Sequence, residues 1–255
     1  MIDIHTHIIP GIDDGSQTMD ASIKMARIAY ENGVNTLIAT PHCNIEGVFE
    51  NYYDQRFIDQ FLYLEEAVLK ENIPLQLLLG MEVYATEEVP ELLKKGKITT
   101  LNYSKYLLIE FSFQKDNLLI EFLLQELVQQ GYVPIIAHPE RYPYVQKHPD
   151  MVYDWIEQGC FIQINKGSIM GNFGFSARNT AIYLLECKLA SFIASDGHGA
   201  TQRTTDLSRV YQYIKSRYTD KYAEVLFNEN PRRVIDNKDL IKPGRLRESE
   251  GSYLL

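Results

Sequence analysis

The sequence has few cysteines, fewer basic than acidic residues, and no long apolar run. Its three cysteines, Cys43, Cys160 and Cys187, are too few for a disulfide framework and show no C-x-x-C spacing, which indicates a reducing compartment. The 25 basic side chains against 34 acidic ones give a formal net charge of −9, which argues against the clustered basic surface that binds nucleic-acid backbones. No run reaches about 18 apolar residues, and the start, MIDIHTHIIP, lacks a basic segment followed by an apolar one. We therefore expect a cytoplasmic protein that neither spans a membrane nor binds nucleic acid.

Short apolar runs alternate with amphipathic stretches along the 255 residues. The strand-like runs are 2–5, 34–40, 74–82, 105–111, 132–138, 160–165 and 191–196. Strands that alternate with helices predict an α/β fold with a parallel sheet. Seven such units fit a distorted (β/α)7 barrel better than a doubly wound sheet, because β/α barrels typically have about 250 residues. No linker divides the chain, so we predict one domain over 1–240 and a polar tail over 241–255.

Five of the six histidines, and several carboxylates, follow or end the predicted strands. His5 and His7 lie two residues apart, a spacing that directs both imidazoles to one side of a strand. Parallel strands place all such ends at one edge, where β/α barrels have their active sites. The candidates are His5, His7, Asp14, His42, Glu82, Glu110, His138, Asp196 and His198.

The composition of this set predicts metal binding rather than structural ion pairs. Glu82 and Glu110 follow apolar runs, where a carboxylate is costly to bury unless it is paired or bound to metal, and few cations lie near these strand ends. Imidazole and carboxylate without thiolate suit Zn²⁺, Mn²⁺ or Fe, and so many nitrogens disfavour Mg²⁺. Nine candidates exceed the needs of one ion, so we expect two or three ions, with Glu82 or Glu110 as a bridge. Asp13 fits a ligand role less well than Asp14, and either could form the turn before the first helix.

Arg141 follows His138 by three residues, and a guanidinium beside a metal cluster suits the binding of a phosphoryl group. The alternative for Arg141 is an ion pair with its neighbour Glu140. Arg203 is a second, weaker candidate. No cysteine has an arginine six positions later, as a cysteine-based phosphatase requires, and the sequence has no G-x-S-x-G, Walker A or G-x-G-x-x-G motif.

The combined motifs resemble the polymerase and histidinol phosphatase (PHP) superfamily. The segments MIDIHTHIIPGIDDGS, LIEFS, IAHPERY and IASDGHG are most similar to the protein-tyrosine phosphatases of Gram-positive capsule and exopolysaccharide clusters. The resemblance implies a distorted barrel that binds three ions, with manganese as the usual metal. It assigns His5, His7, Glu82 and Asp196 to the first ion, Glu82, Glu110 and His138 to the second, and Asp14, His42 and His198 to the third. It also implies that Arg141 contacts phosphate and that the substrate is the phosphotyrosine-containing tail of a partner kinase that regulates polysaccharide export.

The expected reaction is metal-assisted hydrolysis of a phosphate monoester. Ions about 3.5–4 Å apart share a water and lower its pKa, and the hydroxide so formed attacks phosphorus. Histidinol phosphate or another small phosphomonoester is the main competing substrate on the same scaffold. Two further functions stay open at this point: a nuclease, which the acidic balance disfavours, and a non-catalytic, metal-loaded regulator.

Overall fold

The computed structural model describes residues 1–114, 118–242 and 244. Its strands are short and buried. They are β1 (Ile2–Thr6), β2 (Thr36–Ala39), β3 (His42–Cys43), β4 (Gln76–Leu79), β5 (Glu82–Tyr84), β6 (Tyr106–Glu110), β7 (Val133–Ala137), β8 (Phe161–Asn165) and β9 (Phe192–Ala194). Strands β1, β2, β6 and β8 are buried along their whole length, as is typical of parallel strands that are covered on both faces.

All strand pairs are parallel, and neighbouring strands follow the order of the chain. One sheet has the strand order β1-β2-β4 and the other has the order β3-β5-β6-β7-β8-β9. The backbone N–H of Asp196 donates to His5 O at 3.0 Å, and that of His7 donates to Gly197 O at 2.9 Å. These bonds join the end of β1 to the segment that follows β9.

The predicted α/β fold with parallel strands is confirmed, and its irregularity lies in the second and third predicted strands. The structure has a break after each of β2 and β4: β3 lies beyond the run predicted at 34–40, and β5 shares only its first residue, Glu82, with the run predicted at 74–82. Backbone bonds continue through both breaks, from Gly80 N–H to Ala39 O and from Glu82 N–H to Pro41 O. After these breaks, β3 and β5 belong to the six-stranded sheet, where they pair with His42 opposite Glu82.

Helices cover the outside of the strands. They are α1 (Met19–Glu31), α2 (Gln55–Lys70), α3 (Val89–Lys94), α4 (Leu118–Gln129), α5 (Pro143–Lys147), α6 (Met151–Glu157), α7 (Lys166–Ile169), α8 (Phe175–Glu186), α9 (Ser208–Arg217), α10 (Asp220–Glu224) and α11 (Asn230–Ile235). Thr18 and Asp54 accept backbone N–H bonds as the N-caps of α1 and α2. Within the described ranges, none of the helices has the length and apolar character needed to cross a membrane.

The interior faces of the strands change from apolar to polar along their length. Tyr106 and Leu108 of β6 belong to the smaller of two apolar clusters, and Glu110 continues the same face two residues later. The same alternation in β8 leads from Phe161 to Gln163. The carboxyl ends of the strands therefore present polar side chains above an apolar layer.

The predicted domain limits stay a prediction. Of the predicted tail, 241–255, all but residues 241, 242 and 244 lie outside the described residues.

Candidate metal centre

All nine candidate donors and both candidate arginines lie together at the carboxyl ends of the strands. The donors form four overlapping groups, and within each group the potential ligand atoms lie within 4.8 Å of one another. The groups are His5, His7 and Asp196; His5, Glu82 and His138; His42, Glu82 and Glu110; and His7, Asp14, His42 and His198. The sixth histidine, His148, is exposed between α5 and α6 and belongs to none of these groups.

The first group surrounds the paired histidines of β1. The Nε2 atoms of His5 and His7 are 3.2 Å apart, and each lies 3.2 Å from Glu82 Oε2. Asp196 Oδ1 is 3.6 Å from His5 Nε2 and 3.5 Å from His7 Nε2. The four side chains that the resemblance assigns to the first ion thus face one another.

The outer nitrogens of both imidazoles have hydrogen-bond acceptors. His5 Nδ1 lies 2.9 Å from Gln163 Oε1, and His7 Nδ1 lies 2.8 Å from Asp13 Oδ2. Each Nδ1 therefore carries the proton, which leaves each neutral imidazole with a lone pair on Nε2. Burial opposes the charged form of both imidazoles, but the carboxylates around them raise the pKa of His5 and of His7, so a bound cation would replace protons at the two Nε2 atoms.

Glu82 connects this group to the second one. Its Oε1 accepts a hydrogen bond from His138 Nε2 at 2.9 Å, and Glu110 Oε1 lies 3.6 Å from the same nitrogen. His42 Nδ1 is 3.0 Å from Glu82 Oε2 and 3.6 Å from Glu110 Oε2. Glu82 thus reaches four imidazoles, which matches the bridging position expected of it.

The third group lies nearest to solvent. Asp14 Oδ1 is 3.5 Å from His42 Nε2 and 3.4 Å from His198 Nε2, and the Asp14 side chain is 52% exposed. His198 Nδ1 donates to the backbone oxygen of Asp196 at 3.0 Å, so His198 Nε2 faces Asp14 as an acceptor.

Several buried nitrogen and oxygen atoms of the candidate metal ligands lack hydrogen-bond partners among the described residues. They are Glu82 Oε2, His42 Nδ1, His138 Nδ1 and His198 Nε2. Buried polar atoms are normally satisfied, so a cluster of exceptions calls for an explanation. Glu82 Oε2, His42 Nδ1 and His198 Nε2 face other candidate ligands, and bound cations would satisfy them. The residues present therefore fit a metal centre.

The two neighbouring glutamates, Glu82 and Glu110, have pKa values shifted in opposite directions. Burial opposes ionisation of Glu82, but the charges of His5 and His42 hold its pKa well below the ordinary value. Burial, reinforced by the charge of Glu82, raises the pKa of Glu110 to about 8. Glu82 is therefore ionised at neutral pH, whereas Glu110 ionises fully only when positive charge is added beside it. Burial also lowers the pKa of His138 to about 4, which keeps this imidazole neutral.

Both arginines contact the same carboxylate. Arg141 Nη1 lies 3.2 Å from Asp196 Oδ2, and Arg203 Nη2 lies 2.6 Å from it. Glu140, the competing partner for Arg141, accepts instead from the Ser168 hydroxyl at 2.6 Å and from the Asn165 N–H. Arg203, the weaker candidate from sequence, therefore lies as close to the donor groups as Arg141.

Two phenylalanines flank Arg141, and no motif in the sequence pointed to them. The guanidinium carbon of Arg141 lies 5.2 Å from the ring centre of Phe113 and 4.4 Å from that of Phe173. Phe113 is 37% exposed, so its ring borders the opening of the site. Cation–π contacts of this kind hold a guanidinium in place without neutralising its charge.

Asp13 has a role that its sequence position did not reveal. Its Oδ2 accepts from His7 Nδ1 and from the backbone N–H of His42, and its Oδ1 accepts from the N–H of Gly15. A Cβ atom at Gly15 would lie 2.3 Å from His7 Cβ, so this turn accepts only glycine. The expectation that Asp13 is less suited than Asp14 to bind metal agrees with this geometry, because Asp13 faces the outer nitrogen of His7.

Two candidate ligands have unusual backbone conformations. His138 has φ of 34° and Asp196 has φ of 47°, both in the left-handed region that side chains other than glycine rarely adopt. Such strain concentrates at functional sites, where the surrounding structure holds it.

None of the three cysteines belongs to these donor groups. Burial raises the pKa of Cys43 and of Cys160 to about 12, so neither is a ready nucleophile.

The strands and the overlapping donor groups define an α/β protein with a site suited to several metal ions. A family model for capsular polysaccharide synthesis, CpsB/CapC, matches residues 1–236. The tyrosine-protein phosphatase YwqE of Bacillus subtilis is 36% identical over 244 residues, which cover 95% of this chain and 94% of that protein. The chain belongs to the CpsB/CapC family.

Solved structures agree with this membership. A structure from work on YwqE of Bacillus subtilis and CpsB of Streptococcus pneumoniae, described as unique metal-dependent tyrosine phosphatases, matches with a TM-score of 0.90 and 34% identity. The match covers 97% of this chain and 100% of that one. A putative histidinol phosphatase, HisK of Listeria monocytogenes, shares the fold with a TM-score of 0.50 and 12% identity over 84% of this chain and 99% of that one. The resemblance inferred from the motifs is confirmed. The expected enzyme class, a metal-dependent tyrosine phosphatase, is also the class named for these relatives.

Proposed function

We propose that this chain is a metal-dependent protein-tyrosine phosphatase that acts in the cytoplasm on a partner bacterial tyrosine kinase and so regulates capsule or exopolysaccharide synthesis. The observation that carries the proposal is the convergence of nine donors and two arginines at one end of the strands. The family and the names of the relatives support the substrate class.

The metal assignment follows the grouping of the side chains. We assign His5, His7, Glu82 and Asp196 to the first ion, Glu82, Glu110 and His138 to the second, and Asp14, His42 and His198 to the third. The mixture of imidazole and carboxylate favours Mn²⁺, with Fe or Zn²⁺ as substitutes and two or three ions in all. When bound, these ions supply an activated water and neutralise charge on the phosphoryl group.

Arg141 and Arg203 are the catalytic residues of the proposal. Both guanidinium groups lie beside Asp196, so they can donate to the oxygens of a phosphoryl group held at the donor groups. Donors aimed at these oxygens stabilise the charge that develops in phosphoryl transfer. A tyrosine phenolate, with a pKa of about 10, is a better leaving group than an alkoxide, so the reaction demands less of a general acid.

The aromatic border of the site favours an aryl phosphate over a small alkyl phosphate. The exposed edge of Phe113 lies next to Arg141, where it can contact the ring of a phosphotyrosine whose phosphate Arg141 binds. Histidinol phosphate carries an imidazole on a flexible alkyl chain and uses this contact less well.

A comparison of substrates tests this preference. We expect kcat/KM with Mn²⁺ to be about fivefold higher for a phosphotyrosine peptide than for histidinol phosphate, since one aromatic contact contributes on the order of 1 kcal/mol. A peptide that carries several tyrosines serves as the model of a kinase tail. Higher kcat/KM for histidinol phosphate would assign the chain to the small-molecule phosphatases, and no turnover of either would favour the non-catalytic regulator.

A further inference from the structure

Strand β8 contributes none of the nine candidate ligands, although it lies between β7 and β9, which lead to His138 and Asp196. It buries two amides instead. Gln163 and Asn165 are fully buried and two residues apart, so both side chains lie on the face that carries the ligands of neighbouring strands. Buried amides in an apolar strand are costly unless they make specific hydrogen bonds.

The two amides form one continuous chain of hydrogen bonds between His5 and Asp196. His5 Nδ1 lies 2.9 Å from Gln163 Oε1. Gln163 Nε2 donates to Asn165 Oδ1 at 2.8 Å, and Asn165 Nδ2 donates to Asp196 Oδ2 at 2.5 Å. We call this chain the amide relay.

The chemistry of its ends fixes the direction of the relay. The ionised carboxylate of Asp196 only accepts hydrogen bonds, so Asn165 must present its NH₂ group to it. Asn165 Oδ1 then faces Gln163 and requires the NH₂ group of Gln163. Gln163 Oε1 is consequently left for His5 and requires a proton on Nδ1.

We propose that the amide relay is a positioning device that holds His5 with Nε2 free for metal and reserves one oxygen of Asp196 for the same ion. The proposal rests on the metal assignment of the proposed function. It makes Gln163 and Asn165 positioning residues, since neither touches the reacting atoms.

The arrangement around Asp196 supports the second half of the proposal. Asn165, Arg141 and Arg203 all donate to Oδ2, which leaves Oδ1 to face His5 and His7. The relay therefore occupies Asp196 Oδ2 and His5 Nδ1 together, which leaves Asp196 Oδ1 and His5 Nε2 to bind the same ion. Partners that fix ligand orientation in this way typically contribute 10- to 100-fold in metal affinity or activity.

Removal of the relay tests the proposal through metal affinity. We expect Gln163→Met and Asn165→Leu each to weaken Mn²⁺ binding, measured by titration of metal-free protein, by about 10- to 100-fold. Because both side chains act through the same amide relay, the double variant should bind Mn²⁺ about as tightly as the single variant with the lower affinity. Two independent packing effects would multiply instead, and that result would contradict the relay.

A conservative variant and a spectroscopic signal separate positioning from packing. Gln163→Glu keeps the acceptor for His5 but loses the NH₂ group that bonds to Asn165 Oδ1, so its metal affinity should lie between that of the unmodified chain and that of Gln163→Met. In zinc-loaded protein, the ring N–H proton of His5 should give a slowly exchanging NMR signal that persists in Gln163→Glu and disappears in Gln163→Met. If an apolar variant does not fold, Gln163→Glu decides the question alone, because loss of the His5 signal from its folded, zinc-loaded protein would overturn the relay.

Asn230 provides the matched control. It is a buried amide that bonds to Ser191 O and to the backbone of Ile241, away from the donor groups. Asn230→Leu should lower thermal stability and leave metal affinity unchanged. If the unmodified chain binds no metal, the proposed function itself fails, whereas equal metal affinity in all variants overturns only the relay.

Discussion

Glu82→Gln is expected to remove at least one metal ion and to lower kcat/KM for a phosphotyrosine peptide by about 10³-fold or more, since a metal ion contributes several kcal/mol to charge stabilisation. Glu82 is the only candidate, among the donors described, whose two oxygens approach four imidazoles. Its Oε1 bonds to His138, and its Oε2 lies within 3.2 Å of His5, His7 and His42. Glutamine preserves the shape but replaces one oxygen by an NH₂ group, which cannot bind a cation.

Glu140→Gln is the control for this variant. Glu140 is also a fully buried carboxylate close to the strand ends, but it bonds to Ser168 and to the backbone of Asn165 rather than to the donor groups. Metal content by elemental analysis should fall in Glu82→Gln and stay unchanged in Glu140→Gln. Full metal content in Glu82→Gln would refute its assignment as the bridging ligand.

Arg141→Ala is expected to lower kcat by about 10²- to 10³-fold, the usual effect of removing one donor from developing negative charge. Metal content should not change, because Asn165 and Arg203 continue to donate to Asp196 Oδ2. The variant thus separates phosphate binding from metal binding.

Arg27→Ala controls for the loss of one arginine. Arg27 lies on helix α1 and forms an exposed ion pair with Glu71 at 3.0 Å, and such pairs contribute little. Its replacement should leave kcat unchanged. Loss of metal from Arg141→Ala would show that Arg141 supports Asp196 rather than the phosphoryl group.

The sequence predicted the donors because the strand ends carry them directly. His5, Glu110 and Asp196 lie on or just after parallel strands, and parallel strands bring such ends together whatever the details of their register. Arg203 was harder to place, because it lies on a loop whose path depends on bonds from Lys166 to the backbone at Thr204 and Asp206.

The partners of the donors were not predictable in the same way. The pairing of Asp13 with His7 depends on a turn closed around Gly15, and the contacts of Gln163 depend on the register of β8 against its neighbours. The alternation of polar and apolar residues in FIQIN was the one available signal, because two amides in a buried strand require a reason. The breaks after β2 and β4 were not predicted, although Pro41 and Gly80 lie at them and such residues often end or interrupt a strand.

The most direct test of the metal-dependent mechanism is phosphatase activity as a function of metal content. Protein treated with a chelator and then dialysed should release no phosphate from a phosphotyrosine peptide, and addition of Mn²⁺ should restore activity as two or three ions bind per chain. Metal-free protein that hydrolyses the peptide at the rate of the metal-loaded protein would contradict the account.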